Sequence, residues 1–104
     1  MDKVISALSL SKKAGKLILG FDVVKESVQN KTAKLVVLAS DVSFKTKKEI
    51  DFICANQKVK RIMIPLKMDE IWYVLGKRAG VIAITDDGFA RSRKMLLQSS
   101  VKRV

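Results

Sequence analysis

Histidine is absent from this 104-residue sequence, and cysteine occurs once, at Cys54. The first absence removes the commonest general base and metal ligand. The second excludes an intramolecular disulfide framework and any Cys-cluster zinc site, and it suits a reducing, intracellular compartment. No apolar run is long enough to span a membrane. The start, MDKVISALSLSKKAGK, mixes Asp2 and several Lys with short apolar stretches, so no secretory signal is expected. Aromatic residues are sparse, only Phe21, Phe44, Phe52, Trp72, Tyr73 and Phe89, and they do not make the stacking platform of a four-stranded RNA-recognition sheet. Acidic residues are outnumbered two to one: 10 Asp and Glu face 21 Lys and Arg, giving a net charge of +11 and a pI near 10.1. That imbalance favours a polyanionic partner, nucleic acid first, and no membrane partner is expected.

What is present alternates between helical and extended apolar spacing, with Gly, Asn, Asp or Pro at most junctions. Asp2 is positioned to cap a first helix that carries Val4, Ala7 and Leu8 on one face and closes on Lys12, Lys13 and Gly15. "KLILG" reads as a strand. Asp22 then reads as the N-cap of a second helix, which ends near Asn30. "KLVVLAS", residues 34 to 40, has the continuous apolar run of a strand buried on both faces. Thr46 and Glu49 have capping-box spacing ahead of a third helix bearing Ile50, Ile53 and Cys54. "RIMIP" is a strand stopped by the one proline; Asp69 reads as the cap of a fourth helix ending at Gly76. "VIAIT" is the last strand, and "DDGF" turns into a final helix through Leu96 and Leu97. Five helices and four strands in alternation predict an α/β domain whose central sheet is covered on both faces. That single domain is expected over residues 1–98, with a basic tail at 99–104.

Enzymatic chemistry has little to work with. The adjacent Asp86 and Asp87 read as a turn and a helix cap, and Asp22 and Asp41 read as caps rather than metal ligands. Cys54, on an apolar helix face with no His to activate it, reads as core. No Walker or dinucleotide-binding motif occurs, so neither cofactor nor metal is expected. Two loops stand out instead. In "GKRAGVIAIT", residues 76 to 85, Lys77 and Arg78 suit phosphates, the small Ala79-Gly80 step suits close backbone approach, and Val81 suits contact with an exposed base. The same residues also fit a basic surface loop in which Gly80 satisfies a turn. In "GFDVVK", residues 20 to 25, a helix N-terminus follows a Gly, so free backbone donors and Lys25 would face an RNA backbone.

"LGKRAGVIAITD" together with "GFDVVKESVQNKTAKLVVLASDVS" resembles the L7Ae/L30e ribosomal protein family, most closely its small bacterial YlxQ-like members, in order and length from about residue 3 to residue 98. The resemblance implies a three-layer α/β/α sandwich with a mixed four-stranded sheet that binds kink-turns or related internal loops of ribosomal or other structured RNA, often together with other ribonucleoprotein components; a non-enzymatic, cytoplasmic monomer is expected. It assigns the RNA contacts to Gly20, Phe21, Asp22, Val23 and Glu26 in the first loop and to Lys77, Arg78, Ala79, Gly80 and Val81 in the second, with Ser40 and Asp41 at the adjoining strand exit. Strong kink-turn binders carry Gly-Thr-Asn-Glu at the first loop, with a Lys one turn later. Here Gly20, Phe21, Asp22 and Val23 stand there and Glu26 takes the Lys position, which removes amide donors and an acceptor. A protein-interaction module of the same fold, anchored by Phe21 or Trp72, is the alternative expectation.

Overall fold

Helix gives way to strand four times between residues 3 and 90, the residues that the computed structural model describes. The elements are α1 (Lys3–Lys13), β1 (Leu17–Leu19), α2 (Phe21–Gln29), β2 (Leu35–Leu38), α3 (Phe44–Gln57), β3 (Lys60–Met63), α4 (Met68–Leu75), β4 (Val81–Ile84) and α5 (Asp87–Ala90). The expected caps at Asp2, the continuation through Leu96 and Leu97, and the tail 99–104 lie outside the described residues.

The four strands form one mixed sheet in the order β1-β4-β2-β3, in which β4 runs antiparallel to both neighbours and β2 pairs with β3 in parallel. Side chains alternate between its faces. Leu35, Val37, Ile82 and Ile84 pack with Val4, Ala7 and Leu8 of α1, Ile71 and Leu75 of α4, and Ala90 of α5. Val36, Leu38, Val81 and Ala83 pack with Val24 and Val28 of α2 and Ile50, Ile53 and Cys54 of α3. Helices therefore cover both faces, the three-layer sandwich expected. Every residue of β2 and β4 is buried, which explains their unbroken apolar runs.

Helix starts differ from expectation at three places. Gly20, not Asp22, holds the N-cap position of α2, and Asp22 sits in the first turn. The cap of α3 is Ser43, whose Oγ accepts from the Thr46 N–H at 3.1 Å, three residues before the expected Thr46-Glu49 box. At α4, Lys67 occupies the cap position and Asp69 lies inside the helix. Its first N–H, of Met68, donates to Asp41 Oδ1 at 2.9 Å, a carboxylate 27 residues away, and Glu70 Oε1 accepts from the Lys67 N–H. At α5 the cap is Asp86, whose carboxylate accepts from the Phe89 N–H at 3.1 Å.

One consequence of this topology decides where a site forms. Because β4 is antiparallel to the other three, its N-terminal end lies beside the C-terminal ends of β1, β2 and β3: Leu19 is opposite Ile82, and Leu38 is opposite both Val81 and Met63. The loop opening α2, the exit of β2 and the loop before β4 share one end of the sheet.

Candidate nucleic-acid interface

Two loops far apart in sequence are stitched together by backbone. The Gly20 N–H donates to the Val81 carbonyl at 3.0 Å, and the Ala39 N–H donates to the Gly80 carbonyl at 2.9 Å, extending the ladder past both strands. Gly20 has φ 118°, a conformation that residues with a Cβ rarely adopt. No side chain caps the N-terminus of α2 that begins there. Lys77 reaches over the same point: its Nζ donates to the Leu19 carbonyl at 3.3 Å and lies 3.6 Å from where a Gly20 Cβ would stand.

Between the loops opens a cleft of about 310 Å³. Phe21, Val42, Met68 and Ala79 give it apolar walls, Ser43 and Thr46 bring hydroxyls from the start of α3, and Arg78 stands at its side. Gly80 shapes it by what it lacks. A Cβ there would come within 2.6 Å of Val42 Cγ1 and 3.0 Å of Met68 Sδ, so a larger residue would have to push these two side chains aside.

The sequence-expected residues divide into three groups. Gly20, Phe21, Arg78, Ala79, Gly80 and Val81 line the cleft together, with Lys77 beside Gly20. Val81, expected to press on a base, instead turns its side chain into the core at 2% exposure. Phe21 is half-buried and packs against the same core. Asp22, Val23, Glu26 and Ser40 are exposed. Lys25 and Asp41 are engaged elsewhere: Lys25 Nζ is 3.6 Å from Glu49 Oε2, and Asp41 caps α4. Arg78 is also paired, with its Nε 2.9 Å from Asp69 Oδ1.

Val42, Ser43, Thr46 and Met68 escaped the sequence reading as cleft residues. Val42 and Met68 carry no local signal, because their place in the wall follows from tertiary packing; Thr46 was legible only as a capping type, and Ser43 was not singled out at all. Chemically the cleft offers apolar surface, backbone and hydroxyl groups, and cations at its rim. Among the described residues no three His, Cys, Asp or Glu side chains gather as a metal set. Burial pushes the Cys54 thiol up to about 11, leaving it protonated in the core. No helix among the described residues is long and apolar enough to cross a membrane.

Comparison with known proteins agrees with this architecture. The chain is 38% identical over 95 residues to the RNA-binding protein YlxQ of Bacillus subtilis, covering 86% of this chain and 90% of that one. It is 32% identical over 96 residues to the RNA-binding protein YlxQ of Enterococcus faecium, covering 92% of each. The large ribosomal subunit protein eL30 of Candida albicans is 30% identical over 89 residues, 84% of each chain. A solved structure of a Bacillus halodurans protein, described as of unknown function, superposes with a TM-score of 0.86 at 29% identity, covering 96% of this chain and 99% of that one. Residues 2–93 match the sequence profile of the Ribosomal protein L7Ae/L30e/S12e/Gadd45 family, and with the sheet order and the two-loop cleft in place the chain belongs to that family.

Proposed function

We propose that this chain is a non-enzymatic, cytoplasmic RNA-binding protein that grips structured RNA, a kink-turn or a related internal loop, at the end of the sheet where Gly20 meets Val81. The observation that carries the reading is the pairing of an apolar cleft with cations at its rim. Lys77 and Arg78 supply charge for phosphates, which gives affinity without sequence information. The cleft between Phe21 and Met68 has apolar walls and the Ser43 and Thr46 hydroxyls, the surroundings that an unstacked base of a bulge or loop takes up in RNA recognition. The relatives named for RNA binding support the same partner class.

Selectivity is then expected to differ from that of strong kink-turn binders. Asp22 and Val23 are exposed at the first loop without the amide and carboxylate that read sheared G·A pairs. Fit to the cleft and to the 77–81 loop has to supply more of the discrimination.

The test is an electrophoretic shift titration with a kink-turn hairpin and a perfect duplex RNA of the same length. Preference for the hairpin supports loop readout; equal affinity for both contradicts it. A second reading rests on one specific observation: α4 turns Trp72 (57% exposed) and Tyr73 (93% exposed) to solvent, and exposed aromatics are favoured protein-contact residues. A purified protein free of nucleic acid by its ultraviolet absorbance ratio, together with failure of both RNA probes, would favour that protein-binding role.

A further inference from the structure

The cations of the second loop are not the end of the positive surface. β1 is an edge strand, hydrogen-bonded on one side to β4. Lys16 and Gly20 bond toward β4, through the Lys16 carbonyl to the Thr85 N–H and the Gly20 N–H to the Val81 carbonyl. Backbone groups alternate in direction along a strand, so the Leu19 carbonyl faces the open edge, where Lys77 Nζ meets it. The residue before Lys77 is Gly76, and a Cβ on Gly76 would stand 4.0 Å from Lys12 Nζ. Lys12 belongs to the last turn of α1, so two lysines 65 residues apart in sequence flank one short piece of backbone beside the β1 edge. Neither has a carboxylate partner among the described residues, whereas Lys25, Lys47, Arg61 and Arg78 all do.

We propose that the RNA footprint continues from the cleft past Lys77 to the C-terminal turn of α1, with Lys12 as a further phosphate-binding residue. The inference rests on the RNA-binding reading and deepens it: a strand whose loop enters the cleft would run its backbone along these two ammonium groups. Neither ammonium is held by a carboxylate among the described residues, and Gly76 places no side chain against Lys12. A purely structural role for Lys12, complementing the carbonyl end of α1, would show in stability and leave RNA binding untouched.

The experiment compares parent, Lys12→Ala, Lys77→Ala and Lys60→Ala, using the kink-turn hairpin and fluorescence anisotropy between 50 and 200 mM salt (about the range over which phosphate contacts are resolved). Lys60 is exposed at the start of β3, at the opposite end of the sheet, and serves as the control. Losing one phosphate contact flattens the slope of log K against log salt by about 1. Lys12→Ala is expected to flatten it by that amount, as Lys77→Ala does, with Lys60→Ala matching the parent and Lys12→Arg restoring the slope. If Lys12→Ala behaves like Lys60→Ala while Lys77→Ala weakens binding, the extension is wrong and the RNA reading stands. If the parent binds neither hairpin nor duplex, both fall. Should Lys12→Ala melt early, Lys12→Gln repeats the comparison with the side-chain length kept.

Discussion

Arg78 Nε lies 2.9 Å from Asp69 Oδ1, and its Nη1 lies 3.9 Å from Met68 Sδ, so the guanidinium rests against the start of α4 beside the cleft. A phosphate at the cleft rim must compete with Asp69 for it. An exposed ion pair of this kind contributes about 0.2–1 kcal/mol. Asp69→Asn is therefore expected to tighten RNA binding, by up to about fivefold, while lowering unfolding free energy by no more than about 1 kcal/mol. Anisotropy titration and urea unfolding measure the two sides. Unchanged affinity would mean that Arg78 takes no phosphate.

Gly80→Ala sets a steric test of the cleft. The added methyl meets Val42 Cγ1 at 2.6 Å and Met68 Sδ at 3.0 Å. Relief requires the Val42 and Met68 side chains to shift, and overpacking of this kind costs about 1–3 kcal/mol. A melting temperature equal to the parent's would show that this wall yields freely.

Asp41→Ala separates a cap from a ligand contact. Its carboxylate serves the Met68 N–H across 27 residues of chain. Removal is expected to cost about 0.5–2 kcal/mol in urea unfolding, with RNA affinity close to the parent's at a temperature where both are folded. A large loss of affinity without loss of stability would return Asp41 to the RNA-contacting set.

Much of the layered architecture was legible because burial leaves a pattern. The Leu35–Leu38 run is apolar on both faces since helices cover both; Gly76 closes α4 as expected. Helix starts were less legible. Asp22 and Asp69 are capping types that stand inside a first turn, while the groups that satisfy the orphan N–H donors are Ser43 for α3 and the remote Asp41 for α4. Capping chemistry depends on where the chain turns, and residue type marks it only to within a few positions. The two loops of the site were readable from Gly20 and from Lys77-Arg78, yet their junction at Gly20 and Val81 depends on β4 lying between β1 and β2. No local pattern announces that order, and none announces that Val42 and Met68 close the cleft.

Asp51 carries a pH signature. Burial opposes its ionisation, but hydrogen bonds and charge from Lys47 and Arg61 outweigh it and hold the carboxyl below its ordinary 3.8. A folded-state value below the unfolded one means stability that is fully present above about pH 5 and is lost as pH falls through the folded value. Urea unfolding of the parent and of Asp51→Asn should therefore converge toward low pH, with the parent ahead at neutrality. A constant difference would contradict the pairing.

Cys54 is predicted to be inert in the folded protein. It is fully buried, and burial holds its thiol near 11, so little thiolate forms at neutral pH. Iodoacetamide at neutral pH should label it only after denaturation; fast labelling of the native protein would contradict its place between α3 and the sheet.

The central claim is that the 77–81 loop grips RNA. Lys77→Ala combined with Arg78→Ala, titrated against the kink-turn hairpin over a salt series, tests it most directly. The account predicts a salt slope flatter by about 2, one unit for each lost phosphate contact, with an unchanged melting temperature. Parent-like affinity and slope in a folded double variant would contradict it.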